Sequence, residues 1–484
     1  MTRDPLARLR DPAAIRARCA AITAAVEQGR SGWFKLDRSR LPEVARRVAA
    51  LTRQRFPDLR IPYHSRWRHF EAGGVDRKAE LDSLLAGRDA AQVARAHIDL
   101  TVVSVLLDAG AGPQWRYRED AGPIDALALP VHRQQGDELL AMLGQASGSG
   151  AGEGQGPALD APEAADAAPA TGTGTAATGS TYSRSEGLAV ASFRGFLAGV
   201  FSDRPDDPLR VDARALKRLD AAALRALFQV GPSNPMVGLE GRAALLAQLG
   251  EVLEQQAAAH GGEARPGRLY DALVAASAAD PATPGDVPTV AAAAVLGTLL
   301  RDYAPIWRSG SRVLGLPAGD VWPHPWAGAA CGPVPEDGGF PPADHATAGW
   351  VPFHKLSQWL TYSLLEPLGW AGLPVVGLEA LTGLPEYRNG GLLLDAGVIV
   401  PRAASDLSRT WKPSDEFVVE WRALTVTLLD EVAAGVRTEL GVSAQDLPLA
   451  CVLEGGTWAA GREIARELRG GTPPLTIESD GTVF

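Results

Sequence analysis

Helical periodicity is the sequence feature that most constrains the fold of this chain. Apolar residues recur at three- and four-residue spacing over long stretches, whereas alternating strand patterns are few. The first such stretch carries complete helix signals, because Asp11 supplies a capping acceptor, Pro12 suits the first helical position and Gly29 can end the helix. The sequence therefore predicts a mainly α-helical protein with few short strands. Further helices are predicted at 41–54, 90–108, 185–201, 212–228, 238–260, 288–303, 356–365, 390–396, 416–440 and 457–468, and strands at 398–401 and 475–477.

A segment of different composition interrupts this pattern between residues 144 and 180. Gly, Ala, Ser, Thr and Pro dominate it, and such a composition cannot bury enough apolar area to offset the entropy lost when a chain is ordered. We therefore predict a disordered insertion within one integrated globular unit. The predicted regions are an N-terminal helical part (1–143), the insertion (144–182), a central helical part (183–310) and a C-terminal part with the proposed site (311–484).

Composition excludes several classes of function. The formal net charge of −10 argues against a general nucleic-acid binder, which needs a basic face. The three cysteines lie far apart and form neither a disulfide framework nor a CxxC metal site. No apolar run is long enough for a bilayer, and the N-terminus has no apolar signal core. We expect a cytoplasmic protein that binds a small molecule, and neither nucleic acid nor membrane; its oligomeric state is left open.

The most informative segment is the polar run Leu384-Pro385-Glu386-Tyr387-Arg388-Asn389-Gly390-Gly391. It places a carboxylate, a phenol, a guanidinium and a carboxamide at a predicted helix N-terminus, where unpaired backbone amides favour anions. The glycine pair permits close approach of the backbone to a ligand. The alternative is that the glutamate only caps the helix and the arginine lies on the surface.

The segment 62–77 combines arginine, histidine and aromatic residues with the pair Gly73-Gly74. The forked donors of arginine suit phosphate or carboxylate, and the glycines let backbone amides approach an anion. The alternative is an exposed basic turn packed by its own aromatic rings. A metal site built from His64 and His69 is disfavoured, because a spacing of five does not put both on one helical face.

The segment from Gly315 to Phe353 is rich in Trp, Pro and Gly, and His354 and Lys355 follow it directly. It is too irregular for a helix and too aromatic for disorder, and long ordered loops of this kind often carry function. Flat aromatic rings beside His, Asp and Lys suit a wall on which a ring or a sugar stacks. The alternative is a loop that its tryptophans pin to the core.

Two further signals lie near the C-terminus. Glu420-Trp421-Arg422 sits inside a long apolar helix, and buried charges need partners, so we expect either a structural ion pair or one wall of a pocket. Gly455-Gly456-Thr457 is a weak phosphate-loop candidate. Because the Gly-Lys-Ser/Thr signature is missing, no nucleotide triphosphate is implied.

Seven segments, in order along the chain, resemble the uracil-catabolism (Urc/Urg-type) family of fungi and bacteria. The resemblance spans nearly the whole chain apart from the insertion, and it implies a place in a pathway that degrades uracil through a ribosylated intermediate. The segments are 64–77, 184–188, 353–360, 384–395, 419–424, 453–462 and 479–484.

A weaker resemblance concerns the queuosine-salvage N-glycosidases. Residues 381–398 look like the Asp-Tyr-Arg helix of that family, and Glu420-Trp421-Arg422 is similar to its downstream helix with an acidic residue before arginine. The resemblance implies a helical core like that of DNA glycosylases. This chain departs from the pattern, since Glu386 stands where that family has Asp.

Together the two resemblances imply an N-ribosyl hydrolase that acts on a ribosylurea or its 5-phosphate and releases urea. Such cleavage develops oxocarbenium charge, which a carboxylate stabilises, and we expect neither metal nor other cofactor. Glu386 is the predicted catalytic carboxylate, with Glu420 or Asp395 as second choice. The predicted substrate-binding residues are Tyr387, Arg388, Asn389, His64, Arg66, Arg68, Arg77, Trp322, His324, Trp350, His354, Lys355 and Arg422.

Two other functions are compatible with the same residues. One is a metal-dependent amidohydrolase that acts on the ureido group through His64, His69, His324 or His354. The other is a non-catalytic scaffold or binding subunit of the pathway.

Overall fold

The computed structural model describes residues 4–119, 180–278, 288–307, 310–331 and 346–478. Helices dominate these ranges, and the strands form only two-stranded pairs. The helices are α1 (Pro12–Glu27), α2 (Leu41–Arg55), α3 (Arg66–Phe70), α4 (Arg77–Leu84), α5 (Ala90–Leu106), α6 (Arg184–Leu197), α7 (Ala213–Arg218), α8 (Ala221–Leu227), α9 (Leu239–His260), α10 (Arg268–Ala278), α11 (Ala292–Asp302), α12 (Lys355–Trp370), α13 (Tyr387–Asp395), α14 (Glu416–Leu440), α15 (Leu449–Val452) and α16 (Trp458–Arg469).

The predicted mainly helical fold is confirmed. In α1 the Asp11 side chain accepts a hydrogen bond from the backbone N–H of Ala13, and Pro12 occupies the first turn. The long helix α14 has the predicted bounds, 416–440. The stretch 212–228 was predicted as one helix but forms two, because Asp220 leaves the helical conformation and caps α8 through its side chain. The likeness to a DNA-glycosylase core stays a prediction.

Strand pairs connect distant parts of the chain. The two predicted strands exist and pair with segments that the sequence did not mark, β10 with β1 in antiparallel and β12 with β11 in parallel orientation. The Trp-rich segment, predicted to be irregular, contains strands as well. The strands are β1 (Phe34–Leu36), β2 (Arg116–Glu119), β3 (Ser180–Ser183), β4 (Val290–Ala291), β5 (Ser311–Val313), β6 (Leu316–Gly319), β7 (Val321–Pro323), β8 (Trp350–Pro352), β9 (Val375–Val376), β10 (Ile399–Pro401), β11 (Thr410–Trp411) and β12 (Thr476–Ile477).

The predicted insertion at 144–182 lies outside the described residues up to residue 179. Its last three residues belong to β3, which pairs antiparallel with β2. Short 3₁₀ turns occur at Arg38–Arg40, Ala72–Gly74, Ala304–Ile306, Ala327–Cys331, Leu378–Ala380 and Ala404–Ser408. No helix in the described ranges has the length and apolar character needed to cross a membrane.

One buried apolar cluster reaches from Ile15 in α1 to Ile477 in β12. Helix α14 lies at its centre, with buried residues along most of its length. It packs against α1 and α2, while α12 packs against α5, and α13 against α16. The N-terminal helices α1, α2 and α5 thus pack against the C-terminal helices α14 and α12, which brings residues hundreds of positions apart into contact.

Two glycines let α13 approach its neighbours closely. A Cβ added to Gly390 would collide with the Trp421 ring of α14, and one added to Gly461 of α16 would collide with the Arg388 carbonyl oxygen. Gly390 was predicted to let the backbone approach a ligand. The structure instead uses the missing side chain for helix packing.

We predict that Gly461→Ala lowers the free energy of unfolding by at least about 1–3 kcal/mol, because the added methyl group must push α13 away from α16. Gly369→Ala is the matched control, since a Cβ there meets no atom within 4 Å. That control should be neutral or stabilising by about 0.5–1 kcal/mol. Urea unfolding followed by circular dichroism measures both, and equal stability of Gly461→Ala and the native protein would contradict the packing account.

Candidate functional site

Lys355, the first residue of α12, is the point where the predicted site segments meet. Its backbone N–H donates to Oδ2 of Asp320 at 3.0 Å. Burial lowers the pKa of its ammonium group, and the Glu386 carboxylate is the largest influence opposing that shift. Asp320 and Asp108 also raise this pKa, whereas the Arg422 charge lowers it. Lys355 as a whole is half-buried, and its charge interacts with three carboxylates from three different segments.

Glu386 is held in place as the N-cap of α13. Its Oε2 accepts a hydrogen bond from the backbone N–H of Arg388 and its Oε1 from that of Asn389, both at 2.7 Å. The capping role considered as an alternative is thus present, and it coexists with the interaction with Lys355. Capping fixes the carboxylate at a helix N-terminus, where the helix dipole favours negative charge.

A buried cluster beside Lys355 has unused hydrogen-bonding capacity. Arg66 is 0% exposed, and its Nη1 lies 3.2 Å from Oδ1 of Asp108. Its Nε donates to Ser104 Oγ at 2.7 Å and its Nη1 to the Ser185 carbonyl at 3.0 Å. The guanidinium carbon lies 5.7 Å from the ring centre of Trp359.

Two donor atoms of this cluster, Nη2 of Arg66 and Nε1 of Trp359, lack a hydrogen-bond partner among the described residues, whereas Oδ1 of Asp108 is engaged in the ion pair with Arg66 Nη1. Both donors are buried in the protein, and buried polar atoms without partners are rare and costly. Two open donors in one cluster can bind an acceptor atom of a polar molecule.

His69 and Glu454 extend the cluster on its other side. The His69 ring lies 5.9 Å from that of Trp359. Burial, followed by the charges of Arg66 and His64, holds the pKa of His69 well below its ordinary value, so this imidazole is neutral at physiological pH. Burial alone would raise the pKa of Glu454, but its 2.8 Å hydrogen bond with His64 and nearby positive charges hold it at about 2.

Glu454 belongs to a π-helical turn, Leu453–Thr457, that joins α15 to α16. Turns of this kind are frequent at functional sites. The same turn contains the weak phosphate-loop candidate, and the structure gives its glycines another use. A Cβ on Gly456 would lie 2.7 Å from the Val48 carbonyl oxygen of α2, so the glycine serves helix packing.

Arg422 forms its ion pair with Asp320 and not with Glu420. Its Nη1 and Nη2 each donate to one Asp320 oxygen at 2.7 Å, and its guanidinium carbon lies 4.1 Å from the Phe353 ring centre. Burial alone would raise the pKa of Asp320, but the charge and hydrogen bonds of Arg422 outweigh it and hold that pKa at about 2. Arg422 is therefore a structural partner of the loop before β7.

The two second-choice carboxylates lie elsewhere. Residues two positions apart on a helix project about 200° apart, so Glu420 and Arg422 occupy opposite faces of α14. Glu420 accepts a hydrogen bond from Ser31 Oγ and lies beside His324. Asp395, at the far end of α13, forms an ion pair with Arg469. Neither joins Glu386 beside Lys355.

Arg68 and Arg77, predicted as phosphate ligands, are engaged within the protein. Arg77 is buried and pairs with Glu119, and it also donates to two carbonyl oxygens of the turn after α3. Arg68 pairs with Glu366 and Glu71. Three arginines were predicted as ligands in segment 62–77. Only Arg66 lies in the buried cluster with Asp108 and Trp359 beside Lys355, which we call the Lys355 cluster.

The residues that follow Glu386 connect α13 to other segments. The Tyr387 hydroxyl donates to the Ile477 carbonyl at 3.2 Å, and burial raises the pKa of this phenol to about 12. Arg388 Nη1 donates to the Gly471 carbonyl at 3.2 Å, and Asn389 Nδ2 donates to that of Leu384 at 3.3 Å. The phenol and the guanidinium thus face the C-terminal loop.

The aromatic residues of the Trp-rich segment hold it against the protein. Trp322 Nε1 donates to Asp320 at 2.7 Å, and Trp350 packs on a small apolar cluster that includes Leu9. His354 Nε2 hydrogen-bonds with the Leu9 carbonyl at 2.8 Å, and burial lowers the pKa of this imidazole. This arrangement is the pinned loop considered as an alternative. The cavity beside Asp320 and His354 has room for about one water molecule.

Sequence reasoning did not select Asp108, Trp359, Glu454 or Asp320 as site residues. Asp108 follows α5, which is buried over most of its length, and a carboxylate at the end of an apolar helix is the signal that could have marked it. Trp359 lies inside a segment that carries the family resemblance. The partners of Asp320 and Glu454 lie far away in sequence, so spacing could not reveal them.

Comparison with known proteins agrees with the first resemblance. The model of the family described as "Protein of unknown function (DUF1688)" matches residues 8–136 and 165–484. Protein urg3 of Schizosaccharomyces pombe (strain 972 / ATCC 24843) is 35% identical over 497 residues, which cover 100% of both chains. Uracil catabolism protein 4 of Lachancea kluyveri is 32% identical over 510 residues, 99% of each chain. The resemblance to queuosine-salvage N-glycosidases stays a prediction.

The Asp320–Arg422 pair predicts a pH-dependent stability. The folded-state pKa of Asp320, about 2, lies below its ordinary value of 3.8. The contribution of the ionised Asp320 carboxylate to the free energy of unfolding is therefore complete above about pH 4 and is lost as the pH falls toward 2. Asp320→Asn should lower the free energy of unfolding by about 3–5 kcal/mol near neutral pH, because Arg422 is left buried without its counter-charge.

Urea unfolding at a series of pH values measures this effect, with the exposed Asp58→Asn as control. The stability difference between Asp320→Asn and the native protein should narrow between about pH 4 and pH 2. A difference that stays constant over this range, or that is absent at neutral pH, contradicts the assigned role of the pair.

Proposed function

The chain belongs to the DUF1688 family, the uracil-catabolism (Urc/Urg-type) family of the two relatives, and from this membership and the geometry of the Lys355 cluster we propose that it acts in uracil catabolism as an N-ribosyl hydrolase. Its substrate is a ribosylurea or the corresponding 5-phosphate. Water cleaves the bond between the anomeric carbon and the ureido nitrogen, which releases urea and the sugar or sugar phosphate.

The observation that carries this proposal is the pair of open donor atoms at Arg66 and Trp359, next to the Asp108 carboxylate. A ureido group has one carbonyl oxygen that accepts hydrogen bonds and N–H groups that donate them. Two open donors, Arg66 Nη2 and Trp359 Nε1, match the carbonyl oxygen, and the Asp108 carboxylate, which can accept a further hydrogen bond beside its ion pair with Arg66, matches an N–H group. The cluster is complementary to urea and to its N-substituted derivatives.

Lys355 links this subsite to Glu386, because its pKa responds to both Asp108 and Glu386. We place the anomeric carbon between the ureido subsite and Glu386. Breaking the C–N bond leaves positive charge on the sugar, which the Glu386 carboxylate stabilises. The ureido nitrogen leaves with the bonding electron pair and must gain a proton.

Lys355 is the proposed donor of that proton. Its lowered pKa makes the ammonium a stronger acid than an exposed lysine, which suits proton transfer to a leaving group. Glu386 orients the attacking water and takes its proton as the new C–O bond forms. One water is consumed, and Lys355 regains a proton from Glu386 or solvent at the end of the turnover.

The amidohydrolase alternative receives less support from the arrangement of the histidines. His64 hydrogen-bonds with Glu454, His324 faces Glu420, and His354 hydrogen-bonds with the Leu9 carbonyl. Among the described residues these imidazoles have separate partners. The two reactions also differ in products, because an N-ribosyl hydrolase releases intact urea whereas an amidohydrolase releases ammonia.

We predict that Glu386→Gln and Lys355→Met each lower kcat for urea release from ribosylurea 5-phosphate by roughly 10²–10⁴-fold, since each removes a group that acts on the reacting atoms. Glu379 is an exposed glutamate that precedes α13. Glu379→Gln is the control and should retain full activity. A colorimetric urea assay with purified protein measures all three. Unchanged turnover in a folded Glu386→Gln variant removes Glu386 from the mechanism.

We further predict that Trp359→Phe raises KM about 2–12-fold with little change in kcat, because it keeps the ring and removes one hydrogen-bond donor to the ureido oxygen. Trp370→Phe, at a partly exposed tryptophan of the same helix, is the control for loss of an indole N–H. Steady-state kinetics measure KM and kcat of both variants. A native KM in Trp359→Phe would contradict the proposed ureido subsite.

A further inference from the structure

A second polar cluster lies on the opposite face of α14 from Arg422. One imidazole nitrogen of His324 and one carboxylate oxygen each of Glu416 and Glu420 all lie within 4.8 Å of one another. The two glutamates are one helical turn apart on α14, so their carboxylates point to the same side. His324 approaches them from the loop that follows β7. The proposed hydrolysis makes no use of this cluster.

Two of these atoms are buried and open. His324 is 2% exposed and Glu420 is 0% exposed, yet Nε2 of His324 and Oε2 of Glu420 have no hydrogen-bond partner within the described part of the chain. The two atoms lie 3.7 Å apart, which is too long for a hydrogen bond. Two ligand atoms that each lie 2.0–2.2 Å from one tetrahedral metal ion are separated by roughly 3.3–3.6 Å.

We propose that His324, Glu416 and Glu420 bind one divalent transition-metal ion. The donor set of one imidazole nitrogen and two carboxylate oxygens suits Zn²⁺ or Mn²⁺ and disfavours Ca²⁺, which prefers oxygen ligands alone. Glu416 is exposed, so the ion has a route from solvent and positions left for water.

Neighbouring side chains orient both carboxylates, as is common around bound metals. The Ser31 hydroxyl donates to Oε1 of Glu420, which leaves Oε2 directed at His324. Trp33 Nε1 donates to Oε1 of Glu416 at 3.2 Å. The backbone N–H of Trp326 donates a hydrogen bond to His324 Nδ1 at 3.3 Å. Metal binding at Nε2 requires the imidazole proton at Nδ1, so this hydrogen bond is lost when the ion binds.

The ion would join the loop after β7 to α14 and thereby stabilise the folded chain. This effect is separate from the chemistry proposed for Lys355 and Glu386. Binding to the folded state alone raises the melting temperature in proportion to the logarithm of the free metal concentration.

Isothermal titration of the full chain, stripped with chelator, tests the proposal with Zn²⁺, Mn²⁺ and Ca²⁺ as separate probes. We expect one site per chain for Zn²⁺ or Mn²⁺, a higher melting temperature with that ion, and no such effect of Ca²⁺. Glu420→Gln, which conserves shape, and His324→Ala should each weaken binding by at least about 10–100-fold.

The control variants are Glu431→Gln on the same helix and the exposed His260→Ala, and both should retain native metal affinity. Circular dichroism confirms that each variant is folded. No saturable binding of Zn²⁺ or Mn²⁺ to the native chain overturns the proposal, and so does native affinity in both His324→Ala and Glu420→Gln. Because binding and melting are measured without substrate, failure here leaves the proposed hydrolase activity untouched.

Discussion

The buried ion pair between Arg422 and Asp320 holds together the segments that build the site. Arg422 comes from the central helix α14 and contacts both oxygens of Asp320, which also accepts the backbone N–H of Lys355. Arg422 also lies 3.4 Å from the Pro385 carbonyl, next to Glu386. One guanidinium group thus links α14, the start of α12 and the start of α13. The positions of Lys355 and Glu386 both depend on it.

The buried arginines of the chain have two different roles. Three arginines, Arg422, Arg68 and Arg77, form ion pairs with carboxylates inside the protein and so neutralise buried charge. Arg66 keeps an open Nη2 beside Asp108 and Trp359. Lys355 then connects that open cluster to the capped Glu386 carboxylate. The proposed chemistry uses donor groups, such as Arg66 Nη2, that form no hydrogen bond with the described residues.

Local features of this structure could be predicted from sequence, and long-range pairings could not. The bounds of α14 follow from its apolar periodicity, and the capping role of Glu386 follows from its place before a helical run. The partner of Arg422 lies 102 residues away at Asp320, and spacing carries no information about that distance. The same holds for Asp108 and for His324, whose partners come from other segments. Sequence reasoning proposed all of Glu386, Lys355, Glu420 and Asp395 for one site; the structure brings Glu386 near Lys355, whereas Glu420 and Asp395 lie elsewhere.

We propose that this chain breaks the bond between the ribosyl group and an intact ureido group. Carbon-13 NMR on ribosylurea 5-phosphate labelled at the ureido carbonyl follows the fate of that carbon directly. We predict that the label appears as free urea, at a rate proportional to the concentration of the purified chain. Appearance of the label as bicarbonate with ammonia, or persistence of the substrate in the presence of folded protein, would contradict it.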